Sequence, residues 1–98
     1  MITKRKLRER TVRIERAEVE GCFYKYRLSV KYGRGELGCR TPLYSISVEL
    51  IDEVGKKTSA SLRETFSDLD SANCFFNKLF ENLATPIDLP YVFEDEHY

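Results

Sequence analysis

The sequence predicts an α+β domain: a mainly antiparallel sheet of three to four strands, one long helix packed on one face, and a short C-terminal helix. Three observations predict it. From Cys22 to Tyr32 and from Leu43 to Ile51, apolar and polar residues alternate at period two, the pattern of strands with one face covered. Glycine-bearing turns bound these runs. From Ser67 to Ala84 the apolar residues recur instead at steps of three and four, which is the period of a helix.

Taken in order, residues 1–9 read as a flexible basic tail, and residues 10–98 as a single domain. The first strand starts at Arg10. Val12 and Ile14 alternate with Thr11, Arg13 and Glu15, and the apolar set then shifts phase to Ala17 and Val19. A phase shift predicts a bulge or break near Arg16. The second strand places Tyr24, Tyr26, Leu28, Val30 and Tyr32 on one face. Phe23, Lys25, Arg27, Ser29 and Lys31 lie on the other, so one face is apolar and the other largely cationic.

Gly33 to Arg40 is a loop with three glycines. Thr41-Pro42 opens the third strand, where proline is tolerated. Tyr44, Ile46, Val48 and Leu50 form its apolar face. Asp52-Glu53-Val54-Gly55 turns the chain. A fourth strand, from about Lys56 to Phe66, points Ala60 and Leu62 inward and Ser59, Ser61 and Arg63 outward. Its few large apolar groups and its Lys56-Lys57 start suit a sheet edge.

Ser67-x-x-Asp70 has capping-box spacing for the helix. Leu69, Ala72, Phe75, Phe76, Leu79, Phe80 and Leu83 supply its apolar stripe, and Cys74 is expected to act there as a small buried hydrophobe. Thr85-Pro86 stops the helix. Asp88 and Pro90 open a short second one, which Tyr91, Val92 and Phe93 dock, and the acidic end frays.

Composition narrows the function classes. A hydrophobic content of 42% over 98 residues supports one small core. No apolar run spans a bilayer, and the basic N-terminus has no apolar segment behind it, so no membrane partner and a cytoplasmic location are expected. Cys22, Cys39 and Cys74 are odd in number and lack C-x-x-C spacing, which argues against a disulfide framework. Residues 1–40 hold twelve Lys/Arg and five Asp/Glu, a net +7. Residues 41–98 hold four and eleven, a net −7. A split of this kind suits a basic arm for nucleic acid or attraction between halves.

The chain contains a literal G-x-G-x-x-G at Gly33, Gly35 and Gly38, but the residues after it lead into a strand. A dinucleotide site needs a helix there to hold pyrophosphate. His97 is the sole histidine and lies in an acidic run, so triads lack a base. Ser45, Ser47, Ser59 and Ser61 read as the wet side of a sheet. The three cysteines with His97 lack paired ligand spacing. Asp52-Glu53 and Glu94-Asp95-Glu96 converge too few oxygens for a structural cation. Tyr24, Tyr26, Tyr32 and Tyr44 share faces with Leu28, Val30, Ile46 and Val48, so they read as core rather than as a base-stacking platform. No catalytic, cofactor or metal residue is assigned, and no cofactor is expected.

Tyr44-Ser45-Ile46-Ser47-Val48-Glu49, the helix, and the closing Thr85-Pro86-Ile87-Asp88-Leu89-Pro90-Tyr91-Val92-Phe93-Glu94-Asp95 resemble small uncharacterised clostridial-type bacterial proteins, a domain of unknown function. The resemblance covers roughly residues 43–95. It implies a cytoplasmic bacterial protein with no assigned activity, and it transfers no catalytic residue.

The expected function is a small non-enzymatic protein-interaction or regulatory domain that binds a protein partner or itself as a homodimer. The alternative is nucleic-acid binding through Lys4, Arg5, Lys6, Arg8 and Arg10 together with the Lys25, Arg27 and Lys31 strand face.

Overall fold

A computed structural model describes residues 9–34 and 40–96. The elements are β1 (Arg10–Val19), β2 (Cys22–Arg34), β3 (Arg40–Ile51), β4 (Lys57–Phe66), α1 (Leu69–Glu81) and α2 (Leu89–Glu96). The strands form one antiparallel sheet in the order β1-β2-β3-β4. β4 is therefore an edge strand, as its composition predicts, and β1 is the other edge.

Turn chemistry sets the order. Glu20 and Gly21 form a two-residue hairpin with φ of 51° and 82°. Positive φ at both central positions matches the right-handed twist of the flanking strands. Sequence reading missed this turn, although its glycine was the cue. At the β3–β4 turn the Asp52 carboxylate accepts from the backbone N–H groups of Val54 (3.1 Å) and Lys56 (2.8 Å), and Gly55 takes φ 88°. Asp52 thus closes a turn. Gly33, the first glycine of the nucleotide-like motif, pairs with Thr41 inside the β2–β3 ladder. A Cβ there would stand 3.0 Å from Leu43 Cδ1, so the glycine leaves room for the Leu43 side chain. Gly35, Gly38 and Cys39 lie outside the described residues.

Register then stacks the core in cross-strand rows. Glu15, Tyr26, Val48 and Ala60 form one row, and Arg13, Leu28, Ile46 and Leu62 the next. Tyr26, Leu28, Ile46 and Val48 are fully buried beneath Phe76 and Leu79 of α1, which are fully buried in turn. Burying each such side chain contributes about 1.5–3 kcal/mol. The Tyr26 hydroxyl donates to the Ala84 carbonyl at 2.9 Å, which ties the segment after α1 to β2. Burial pushes the Tyr26 phenol well above its ordinary pKa.

Several boundaries and phases differ from expectation. The N-cap of α1 is Asp68, not Ser67: its carboxylate accepts from the Ser71 N–H at 2.8 Å. The helix ends at Glu81, where Asn82 caps it and Leu83 turns to φ 49°. The Ala84 N–H reaches back to the Leu79 carbonyl, so a local C-terminal motif stops the helix before Thr85-Pro86 does. Cys74 is exposed rather than buried, because the buried stripe runs through Ala72, Phe75, Phe76 and Leu79. In α2, Leu89 is fully buried, while Tyr91 is 64% exposed and does not dock. The Asp88 carboxylate bonds back to the Thr85 N–H instead of capping forward.

The largest correction concerns β1. Its bulge lies between Thr11 and Arg13, not near Arg16. The extra residue Val12 turns Arg13, Glu15 and Ala17 toward the helix side and Ile14 to the other face. Arg13 then reaches α1. Its guanidinium carbon sits 4.6 Å from the Phe76 ring centre, and Nη1 donates to Asn77 Oδ1 (2.7 Å) and Asn73 Oδ1 (3.4 Å). A β-branched side chain is too short to cover that flank. The long arginine stem shields the ring while its head stays at the rim.

Candidate functional site

Both helices pack on one face of the sheet, so the opposite face carries no covering element among the described residues. Period two decides what that face shows. Arg16, Lys25, Glu49 and Ser59 form one cross-strand row, and Ile14, Arg27, Ser47 and Ser61 form the next. Glu18, Phe23, Ile51 and Lys57 lie toward the Glu20-Gly21 hairpin. Phe23 is 51% exposed and borders a concavity of about 520 Å³ together with Arg16, Lys25 and Ile51.

The charges on this face are unevenly paired. Lys57 Nζ meets Glu49 Oε2 at 3.2 Å, and Lys31 Nζ meets Glu64 Oε1 at 2.6 Å. Glu64 reaches the open face because it sits at φ 52° in the irregular stretch of β4 where Phe66, not Glu64, faces Tyr44. Lys31 lowers the Glu64 carboxyl below the ordinary carboxylate range, by hydrogen bond and by charge. Arg27 Nε donates to Thr11 Oγ1 at 2.9 Å. For Arg16, Lys25, Arg27 and Arg63, no ion pair is present among the described residues.

Between Arg27 and Arg63 lies a groove of about 180 Å³ floored by Ser29, Ser45, Ser47 and Ser61, with Glu9 at its border. Ser29 is 5% and Ser45 8% exposed. They are buried without a covering layer, because they are short side chains set among long ones. Ser45 Oγ accepts from the Glu64 N–H at 2.8 Å. No hydrogen bond joins these four serines to an imidazole or a carboxylate among the described residues.

The helical layer has the opposite sign. Asp68, Asp70, Glu81, Asp88 and Glu94 are exposed there, with Lys78 as the cation of α1. Charge is therefore sorted between the two faces as well as between the halves of the chain.

Of the residues expected to contact a partner, Lys25, Arg27 and Lys31 share the open face. Lys31 is already engaged by Glu64. Arg10 is exposed but pairs with Val30, which puts it on the helix side. Lys4, Arg5, Lys6, Arg8 and His97 lie outside the described residues. Sequence reading missed Arg16 and Arg63 as members of the face. Alternation in β4 did point Arg63 outward, but Arg16 was obscured by the misplaced bulge. Among the described residues no cluster of three or more Cys, His, Asp or Glu could hold a metal ion, and no helix is long and apolar enough to cross a membrane.

No protein-family model, no curated protein and no solved structure matches the chain.

Proposed function

We propose that the chain is a small non-enzymatic interaction domain that docks an acidic partner on the open face of its sheet. The observation that carries this is the uncovered group of unpaired cations. Arg16, Lys25, Arg27 and Arg63 have no carboxylate partner among the described residues, and Phe23 stands half out of the surface beside them. Exposed aromatic and arginine side chains are the usual anchors of a binding surface. The setting is the cytoplasm, supported by the free thiols of Cys22 and Cys74.

A second copy of the chain is a further reading, favoured by the acidic helical layer. That layer on one molecule complements the cationic face on another. Such a contact joins unlike surfaces, so it builds a ring or a filament rather than a two-fold dimer.

The test is a titration of labelled polyglutamate and labelled single-stranded oligonucleotide with the protein, followed by anisotropy at low and high salt. Light scattering over a range of protein concentrations reads self-association. Binding that weakens with salt and is lost in Lys25→Glu/Arg63→Glu supports the reading. A protein that binds neither probe and stays monomeric at low salt overturns it.

A further inference from the structure

The groove between Arg27 and Arg63 has more donors than a general cationic surface needs. Ser29 is 5% exposed and has no hydrogen-bond partner among the described residues. No partnerless side-chain oxygen among the described residues is sealed from solvent, so the Ser29 hydroxyl opens into the groove it lines. The Ser45 oxygen accepts from the Glu64 N–H, which leaves its own proton to be donated elsewhere. The bond from Arg27 Nε to Thr11 steadies that guanidinium and leaves its terminal nitrogens uncommitted. Arg63, on β4, lines the same groove. Two arginines on the strands that flank β3, lining one groove with four serines, make a donor-rich site, and that chemistry suits a phosphoryl oxyanion.

The surroundings narrow the source of the phosphate. Phe23, Lys25 and Arg27 lie on one side of β2 at period two. The exposed ring therefore sits about 13 Å along the strand from the groove, with Lys25 between them, flanked by Arg16 and by Glu49, which Lys57 neutralises, and with Glu18 opposite the ring. A cationic track that leads from a phosphate site to an exposed aromatic ring is the arrangement by which single strands are bound: phosphates follow the charge and a base stacks on the ring. A duplex would need an element that enters one of its grooves, and this face has none among the described residues. A phosphopeptide would use the groove and leave the track idle.

We infer that the Arg27–Arg63 groove holds a backbone phosphate of a single-stranded nucleic acid whose chain runs along β2 toward Phe23. This rests on the reading of the open face as the docking surface. Glu9 gives the inference a signature. The residue lines the groove and its negative charge opposes an anion there, so removing that charge strengthens binding.

The experiment measures the affinity of labelled oligo(U) and oligo(dT) by anisotropy over a series of salt concentrations, with thermal melting to confirm that each variant is folded. Arg63→Ala and Arg27→Ala each weaken binding about tenfold, and each flattens the salt slope by about 0.7, the contribution of one single-strand phosphate. Ser29→Ala weakens it severalfold, and Glu9→Gln tightens it. Phe23→Ala weakens oligonucleotide binding but leaves competition by inorganic phosphate unchanged. If the arginine variants bind oligonucleotide with wild-type affinity and slope while Lys25→Glu does not bind, the groove is refuted and the docking face survives. Binding of polyglutamate without oligonucleotide likewise refutes the groove and spares the face. Preference for a phosphoserine peptide over either oligonucleotide also overturns the inference.

Discussion

The covered and open faces of this sheet come from the same four strands, yet they obey different rules. On the covered face the central side chains have partners across the interface: Phe76 and Leu79 lie over Tyr26, Leu28, Ile46 and Val48, and all six are fully buried. On the open face the side chains answer to water. Phe23 is half exposed, two ion pairs among the described residues span neighbouring positions, and short serines sit between long cations. Alternation alone assigns residues to both faces equally well. It does not say which one the helices cover, and it is the covering that turns an apolar row into a core. The open face is free of that constraint and can carry charge.

The strongest test of this difference is removal of a large side chain from the covered face. Phe76 contacts Tyr26 edge-on, with ring centres 6.4 Å apart, and lies under the Arg13 guanidinium. Phe76→Ala leaves a cavity that neither the sheet nor the helix can close. It should cost about 3–5 kcal/mol, measured by denaturant unfolding. That is a large fraction of the stability of a domain of this size. A loss under about 1 kcal/mol would mean that α1 does not roof the sheet.

Arg13 tests the border between the two faces. It is a charged residue on the covered side of an edge strand, and its contacts tie β1 to Phe76, Asn73 and Asn77. Arg13→Ala should cost about 1–2 kcal/mol through the lost ring contact and the unpaired amide oxygens. Arg13→Lys should recover less than half of this, because an ammonium cannot reach both asparagines in the same plane. Hydrogen exchange should show β1 opening first in both variants.

The distance between sequence and structure is instructive at the same border. In β2, β3 and α1, side-chain periods are long and unbroken, so the faces, most core residues and the edge position of β4 were legible, although Cys74 and Leu69 of α1 are exposed. β1 was not. A single inserted residue, Val12, shifts the phase of everything after it, and alternation cannot locate the insertion when charged residues lie on both sides. The N-cap moved from Ser67 to Asp68 for a similar reason: adjacent Ser and Asp are both good caps, and the choice depends on where the chain leaves β4. The open face was only partly visible. Lys25, Arg27 and Lys31 fell on one side of one strand, but Arg16 and Arg63 joined them through pairing. The Lys31–Glu64 pair depends on the irregularity in β4, which local pattern does not reveal.

Acid titration separates the two faces by another route. Among the described residues, two carboxylates are held below their ordinary range: Glu64 by Lys31 on the open face, and Asp68 by the Ser71 backbone N–H at the start of α1. A lowered folded-state pKa contributes stability that is fully present above the unfolded value, near 4, and is lost as pH falls through the folded value. The melting temperature should therefore be nearly flat from pH 7 to about 5 and fall below about 4. Asp68→Asn, which keeps a good cap but cannot titrate, should make the acid limb shallower. Lys31→Ala should do the same at low salt and lose its effect at high salt, because the Glu64 pair is open to screening. An acid limb unchanged in both variants would place the titrating groups elsewhere.

The smallest expected effect completes the comparison, because it changes the same residue type on the other face. Phe23 lies in β2 opposite Ile51 and is 51% exposed. Only about half of its area is removed from water on folding, and no helix packs on it, so Phe23→Ala leaves no enclosed cavity. The loss should be about 1 kcal/mol or less, several times smaller than for Phe76→Ala under the same conditions. The transition midpoint should shift slightly with an unchanged denaturant slope. If Phe23→Ala instead costs as much as Phe76→Ala, something covers the open face in solution. The cost would then depend on protein concentration if the cover is a second copy of the chain. Running the unfolding series at two concentrations therefore reads both the weight of Phe23 and the state of the face it stands on.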